Sequence, residues 1–362
     1  MSKKHFAKSV AEELGVVGDW ARILEALTCG QSLGRQGAAD AMRSVMAGEA
    51  TSAQIGAFLA AYRWRLPSAA ELAGMAEAML AAAERVHLGA GLLDTCGTGG
   101  DRSGTINVST ISAFVAAGAG AMVAKHGNRA ASSKCGSADL LEALGVEINL
   151  GPVEVKRCFE EAGICFLFAR RFHPAMRYVA SVRQELGIPT VMNILGPLCN
   201  PAGAQYHSMG VADATVAELI AETIRLLGRG RTLLFYGRDG LDEISPSSES
   251  VVYEIDNSEI AQYTIDPRRL GFPTHSIQDV AGGSPEQNKE ILERILAGER
   301  SPAADFVILN SAAALVACGM ACSFEEGVEM AQVSVEEGKA AGKVDALIAA
   351  SQRAAKEGGT VS

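Results

Sequence analysis

The sequence predicts an α/β protein in two parts. A small all-helical N-terminal domain covers residues 1–88, and a large α/β domain with a mostly parallel central sheet flanked by helices covers 89–362. Three observations carry this reading. Before Gly89-Ala90-Gly91 the apolar residues recur only at three- and four-residue spacing, which is the period of a helix. From Leu92 onward, short apolar runs alternate with helical stretches, the order of a parallel sheet with crossover helices on both faces. The chain has 362 residues, 48% hydrophobic and 20% charged, long enough for two ordinary domains and too apolar for a disordered protein.

Residues 18 to about 87 read as helices. Ala38-Ala39, Met42 and Val45-Met46 keep one apolar face. Thr51-Ser52-Ala53-Gln54 and Ser68-Ala69-Ala70-Glu71 match capping boxes, in which the hydroxyl and the residue three positions on satisfy each other's backbone amides. Gly89-Ala90-Gly91 is a hinge behind this domain. Strands are then expected at Leu92–Thr95, Ala121–Lys125, Cys165–Phe168, Arg231–Tyr236 and Phe306–Leu309. Ser109-Thr110 opens a helix running from Ile111 to about Ala119, and further helices are expected at Ala138–Leu144, Val153–Ala162 and Val216–Leu227. Ser284-Pro285-Glu286-Gln287 opens another with Pro at its first position, the stretch from Ser323 is helical, and the residues after Lys356 fray.

In such sheets ligands gather beyond the carboxyl ends of the strands, so the polar residues after each strand are the ones to examine. After Leu92–Thr95 comes a glycine-dense loop, Gly97-Thr98-Gly99-Gly100-Asp101. It lacks the Gly-Lys-Ser/Thr of a Walker motif. The next strand ends in Lys125-His126 rather than the acidic residue of a dinucleotide fold. Successive amides backed by a helix start suit phosphate, yet Asp101 beside phosphates requires a cation or a sugar hydroxyl. After the second strand, Lys125-His126-Gly127-Asn128-Arg129 and the run to Asp139 bring three cations, an amide and several hydroxyls. The two loops belong to one β-α-β unit, and two adjacent phosphate-seeking loops point to a ligand with more than one phosphate group. Arg238-Asp239-Gly240-Leu241-Asp242-Glu243 follows Arg231–Tyr236. An Asp-Glu pair is usually plain surface, but at a strand end facing phosphate loops it suits Mg²⁺, which binds through one or two carboxylates plus substrate phosphates. Arg183 has the fork geometry for a carboxylate, and a helix-surface ion pair is its alternative.

Composition excludes several classes. The net charge of −10 argues against a general nucleic-acid binder. The eight cysteines form no Cys-x-x-Cys pair, and Met1-Ser2-Lys3-Lys4 is followed by mixed polar residues rather than an apolar leader; reduced thiols and a cytoplasmic location are expected. Cys318 and Cys322 read as packing residues rather than metal ligands. Phe306–Phe324 is uncharged and approaches membrane-spanning length, but Asn310, Ser311 and its alanines fit a strand leading into a buried helix, so no membrane is expected.

Together these loops resemble the anthranilate phosphoribosyltransferases. The match lies in Asp94 to Asp101, Asn107-Val108-Ser109-Thr110, Lys125 to Arg129, Gly136-Ser137-Ala138-Asp139, His173-Pro174-Ala175-Met176, Val182-Arg183, Asn193 with Leu195-Gly196-Pro197, and Gly240 to Glu243. The resemblance implies a homodimer acting in tryptophan biosynthesis, with the substrates meeting at the hinge and helices near Ser181–Pro201 returning to the helical domain. It implies phosphoribosyl pyrophosphate bound by Gly97, Gly100, Asp101, Thr105, Asn107, Val108, Ser109, Thr110, Lys125, His126, Gly127, Asn128, Arg129, Ala130, Ala131, Ser132, Ser133 and Ser137. Mg²⁺ falls to Ser109, Asp242 and Glu243, and anthranilate to Gly97, Asn128, His173 and Arg183. The anthranilate amine attacks C1 of the ribose as pyrophosphate leaves, so chemistry depends on leaving-group stabilisation by Lys125 and the metal and on alignment of the amine by Arg183 and Asn128. Ala130-Ala131, Cys135 and Cys199 depart from the family pattern, and Cys135 in place of Ser costs a phosphate hydrogen bond. The rival readings are a pyrimidine nucleoside phosphorylase-like enzyme, which the Lys125–Asn128 loop and Asp242-Glu243 disfavour, and a non-catalytic nucleic-acid-binding relative, which the acidic composition disfavours.

Overall fold

The computed structural model describes residues 19–130 and 134–358. The expectations about Met1–Lys4, about Ala131, Ser132 and Ser133, and about residues 359–362 lie outside them, whereas Glu357 and Gly358, expected to fray, continue the last helix. The described chain begins with helices α1 (Asp19–Thr28), α2 (Gly34–Ala47), α3 (Ser52–Arg65) and α4 (Ala69–Ala81). Both expected capping boxes form: Gln54 N–H donates to Thr51 Oγ1 at 3.3 Å and Glu71 N–H to Ser68 Oγ at 3.3 Å, each with the reciprocal bond made. No strand precedes Leu92 among the described residues.

The chain then alternates: β1 (Leu92–Gly97), α5 (Val108–Gly118), β2 (Met122–Gly127), α6 (Ser137–Leu144), α7 (Pro152–Ala162), β3 (Ile164–Phe168) and the short α8 (Ala169–Phe172). Helices α9 (Arg177–Leu186) and α10 (Val191–Leu195) follow, then β4 (Tyr206–Gly210), α11 (Ala214–Leu227), β5 (Arg231–Gly237), β6 (Ser250–Asp256) and β7 (Glu259–Ile265). The chain ends with α12 (Pro285–Leu296), α13 (Pro302–Ala317), α14 (Phe324–Glu336) and α15 (Lys339–Gly358). Two compact units result, one of the chain up to Ala83 with His173–Cys199, the other of Glu84–Phe172 and Asn200 onward.

The second unit holds one seven-stranded sheet in the order β3-β2-β1-β4-β5-β6-β7. Its first five strands are parallel and the last two antiparallel. Helices α5, α7, α11 and α13 pack on it. Alanines let α5 and α13 approach closely: Ala113, Ala116 and Ala117 on one and Ala312 and Ala313 on the other are essentially unexposed, and Ser112 Oγ donates to the Val307 carbonyl at 3.3 Å.

Phe306–Leu309 is a correction to the sequence reading: it lies inside α13, not in a strand. The cause is local. Ser301 Oγ accepts from Ala304 N–H and Pro302 occupies the first turn, so a helix starts there. Every residue from Phe306 to Ala317 is buried, and a helix buried on all sides shows no periodicity to separate it from a strand. Conversely β4 has His207 and Ser208 among its residues, which hides it in the sequence although it lies between β1 and β5. No described helix is long and apolar enough to cross a membrane.

Candidate active site

The carboxyl ends of β1, β2 and β5 carry the chemistry-bearing loops. β1 ends at Gly97, paired in register with Gly210 of β4. The two missing side chains make room for the Asp242 turn: a Cβ on Gly97 would lie 2.9 Å from Asp242 Oδ2, and one on Gly210 only 1.6 Å from the Asp242 carbonyl oxygen. The loop then turns through Gly99 and Gly100 at φ of +65° and +93°, a backbone that only glycine adopts cheaply. Gly99 N–H donates to Asp242 Oδ2 at 2.8 Å. Asp101 accepts from the Ser103 hydroxyl at 2.6 Å and from Ser103 N–H at 3.2 Å. Thr105 forms a bridge to Ala281.

Asn107 stands at the start of α5 and is held by Asn288 of α12, whose Nδ2 donates to Asn107 Oδ1 at 2.7 Å; Asn107 Nδ2 donates to the Cys135 carbonyl at 2.9 Å. Asn288 had no motif around it in the sequence. Val108 is buried in the core, while Thr110 Oγ1 donates to Ser137 Oγ at 3.0 Å. The starts of α5 and α6 are thereby tied together, which brings two helix N-termini to one side of the sheet.

Lys125 is 3% exposed. Its Nζ donates to the Thr95 carbonyl at 2.5 Å and lies 3.4 Å from Thr95 Oγ1 and from Ser109 Oγ. Burial pushes its pKa down, opposed by Asp94, Cys96 and Glu243. His126 is buried, Gly127 closes β2, and Asn128 is exposed with Oδ1 accepting from Arg129 N–H at 2.8 Å. The Arg129 guanidinium is committed to Asp139 and Glu142 and stacks over Phe168 at 5.7 Å. The same Asp139 accepts from the amides of Ala130 and Gly136 at 2.9 Å each, so it pins both ends of this loop.

After β5, Asp242 is buried and Glu243 partly buried. Burial, then the adjacent Asp101, raises the Asp242 pKa to about 7 against the Gly99 amide, and Glu243 is pushed well above its ordinary value by burial and by Asp242 and Asp101. Sequence reasoning missed the residue that holds this turn. Asn310 of α13 accepts from Ile244 N–H at 2.9 Å and donates to the Ile244 carbonyl at 3.0 Å. Its only signal was a polar side chain in an apolar run. A small cavity beneath Ser109 and Glu243 is lined by further polar groups, Thr95, Ser112, Ser208 and Asn310. A cavity of about 420 Å³ at the amino ends of β4 and β5, bordered by Tyr206, Arg231 and Asp256, contains none of the predicted residues.

His173 and Arg183 belong to the first unit. His173 is buried, its Nε2–H donates to the Cys199 carbonyl at 3.0 Å, and burial lowers its pKa to about 4; it is neutral at pH 7. Arg183 on α9 donates to Asn193 Oδ1 at 3.3 Å, and burial lowers its pKa. No carboxylate among the described residues forms an ion pair with it, so the surface ion pair weighed as its alternative is absent there.

The donor set fits Mg²⁺. Asp101 lies close enough to Asp242 and Glu243 to raise the proton affinity of both, and Asp242 raises that of Glu243 further, an arrangement that a hard cation relieves. No three His, Cys, Asp or Glu side chains among the described residues close around a point as a complete metal cage.

Two family profiles match the chain: the helical bundle domain of the glycosyl transferase family over residues 21–83 and its a/b domain over residues 89–341. Among curated proteins, the anthranilate phosphoribosyltransferase of Herpetosiphon aurantiacus is 50% identical over 88% of this chain and 95% of its own length. That of Rubrobacter xylanophilus is 46% identical over 92% and 98%. Among solved structures, the Thermus thermophilus enzyme superposes with a TM-score of 0.86 at 41% identity, covering 91% of this chain and 99% of that one. The Saccharomyces cerevisiae enzyme in complex with PRPP and Mg superposes at 0.87 with 27% identity, covering 93% and 99%. With this likeness along both units and the loops described above, the chain belongs to the anthranilate phosphoribosyltransferase family.

Proposed function

We infer that this chain transfers the 5-phosphoribosyl group of phosphoribosyl pyrophosphate to the amine of anthranilate, giving N-(5-phosphoribosyl)anthranilate and pyrophosphate in L-tryptophan biosynthesis. The observation that carries the reading is the carboxyl edge of the sheet. There, two amide-rich loops and two helix starts, which favour anions, lie beside three crowded carboxylates, which favour a cation. A magnesium-bound sugar diphosphate supplies both. Among the relatives, the yeast enzyme is described in complexes with PRPP and Mg and with 4-fluoroanthranilate, and the nucleoside phosphorylase and nucleic-acid readings have no comparable support.

In this reading the donor is bound by Gly97, Gly100, Asp101, Thr105, Asn107–Thr110, Lys125–Ala130 and Ser137, and by Ala131, Ser132 and Ser133. Asp101 meets ribose hydroxyls or the metal shell. Arg129, tied to Asp139 and Glu142, contributes through its backbone and by bracing the loop. Ser109, Asp242 and Glu243 hold Mg²⁺, which when bound draws negative charge from the departing pyrophosphate. Lys125 holds a positive charge against the same developing anion in a water-poor setting. Arg183 receives the anthranilate carboxylate, while Asn128, His173 and the Gly97 backbone orient the ring and its amine. The C1–O bond breaks as the C1–N bond forms, and the amine then gives up a proton; no covalent nucleophile on the protein is needed. We also infer a helical domain at 1–88 and a donor-binding domain at 89–362, a homodimer, and a cytoplasmic location, the last in keeping with eight free thiols.

The test is direct. Protein, phosphoribosyl pyrophosphate, Mg²⁺ and anthranilate are mixed and the loss of anthranilate fluorescence is followed. Magnesium-dependent loss is expected; folded protein that gives none overturns the assignment.

A further inference from the structure

We propose that Asp94 and Asn200, neither of which contacts substrate in the reading above, act as a positioning pair that keeps β1 and β2 apart where the two phosphate loops begin. The inference rests on the assignment of that edge to phosphoribosyl pyrophosphate.

The strand registers carry it. On its outer side β1 pairs with β4 from Leu93↔Tyr206 through Gly97↔Gly210, and β2 pairs with β3 from Val123↔Ile164 through Gly127↔Phe168. Between them the ladder stops after Leu92↔Met122 and Leu93↔Val123. Both strands therefore continue in regular sheet on their outer edges while parting from each other at Asp94. Regular parallel strands lie about 4.8 Å apart and leave no room for side chains between them.

Parting frees backbone groups that must find partners inside a buried sheet. Side chains supply them. Asp94 Oδ1 accepts from His126 N–H at 3.0 Å. Asn200 Nδ2 donates both to the Ala124 carbonyl and to Asp94 Oδ2, each at 2.8 Å. Lys125 Nζ takes the Thr95 carbonyl at 2.5 Å. Asn200 is itself fixed by the Ala202 amide, which donates to its Oδ1 at 2.9 Å. Asp94 is 0% exposed and Asn200 3%. The wedge is complete: each polar atom of the two side chains has a partner, and those partners lie on β1, on β2 and on the segment leading into β4.

The consequence falls on the donor loops. Gly97–Asp101 leaves β1 and Gly127–Ala130 leaves β2 just beyond the wedge, so its width sets the distance between the two anion-binding loops. Lys125 lies within it, and its amine position depends on the Thr95 carbonyl remaining turned toward β2. A small residue at 94 or 200 orphans backbone groups, and the strands must move to satisfy them.

The experiment uses the full chain with Asp94→Asn and Asn200→Ser. Asparagine at 94 keeps an acceptor for His126 but sets one amide NH₂ against that of Asn200. Serine at 200 can serve one of its two acceptors, not both. Magnesium-dependent binding of phosphoribosyl pyrophosphate is measured by calorimetry, KM for each substrate by fluorescence, and folding by circular dichroism and thermal melting. The expected result is donor binding weakened about tenfold or more in a cooperatively folded protein, with the anthranilate KM changed less than about twofold. Folded variants that bind the donor like wild type overturn the proposal, as does an equal loss toward both substrates that tracks a fall in melting temperature. If one variant does not fold, the other decides. Wild-type protein that fails to bind the donor overturns the site assignment and the pair's role with it; wild-type binding matched by the variants overturns the pair's role alone.

Discussion

Glu71 of the helical unit and the Asp242–Glu243 pair of the α/β unit are carboxylates withdrawn from water, and the protein treats them in opposite ways. Glu71 is 0% exposed. Its oxygens accept from Arg65, the Tyr62 hydroxyl, the Ser68 hydroxyl and amide, and the Leu33 amide. Burial pushes its pKa up, yet the Arg65 bonds and these amides outweigh it and bring the value to about 2. Asp242 receives one hydrogen bond from the Gly99 loop and faces Asp101, and its pKa rises to about 7. A fully partnered carboxylate holds the fold together. One surrounded by like charge and by amide-rich loops is arranged for something the chain does not itself contain.

The largest expected effect comes from removing the under-partnered pair. Asp242→Ala with Glu243→Ala should lower magnesium-dependent turnover by about a thousandfold or more while leaving the melting temperature at or above wild type, because crowded carboxylates are lost. Steady-state fluorescence and differential scanning calorimetry read the two halves; unchanged turnover removes the metal role. Glu71→Ala should do the reverse, costing about 3–5 kcal/mol of stability by stranding Arg65 and the Leu33 and Ser68 amides. Its turnover per folded molecule should stay within about twofold of wild type, checked by urea unfolding and active-site titration.

The pH dependence sharpens the same contrast. Folding lowers the Glu71 pKa from 4.5 to about 2, so its stabilisation is complete above the unfolded value and lost as pH falls from 4.5 toward 2. Glu71→Gln should flatten wild-type acid destabilisation across that window, by an amount on the order of 3 kcal/mol, in unfolding curves taken between pH 2 and 6. Arg183→Ala should raise the anthranilate KM about tenfold with little change for the donor; an effect confined to the donor contradicts its assignment. Smallest is Cys135→Ser. Cys135 is buried, its Sγ 3.6 Å from the Gly136 carbonyl, so the donor KM should shift by less than about threefold, which tests whether the loop binds through amides rather than that side chain.

What could be read from the sequence was local. The capping boxes at Thr51 and Ser68, the Pro285 helix start and the glycine loop after β1 are set by residues within a few positions of one another, and each formed. Long-range facts were hidden. The Phe306 run is a helix whose period burial on all sides erased, and β4 was masked by His207 and Ser208. In the site, Lys125 and Asp242 announced themselves by charge at strand ends. The partners that fix the site, Asn200 76 residues from Ala124, Asn310 66 from Ile244 and Asn288 181 from Asn107, are neutral amides with no local pattern. The commitment of Arg129 to Asp139 and Glu142 was equally invisible, because the same guanidinium facing a phosphate would have the same sequence.

The trough made by Gly97 and Gly210 makes the sheet itself a determinant of where the carboxylate stands. With the Asp242 peptide lying where a Gly210 side chain would stand, any side chain at 210 collides with the carboxylate turn in its present place. The carboxylates can be exchanged without steric penalty, but the glycine cannot. Alanine or serine at 210 would push the Asp242 peptide aside and carry the carboxylate with it. The lever on that carboxylate is therefore a strand position that bears no chemistry of its own.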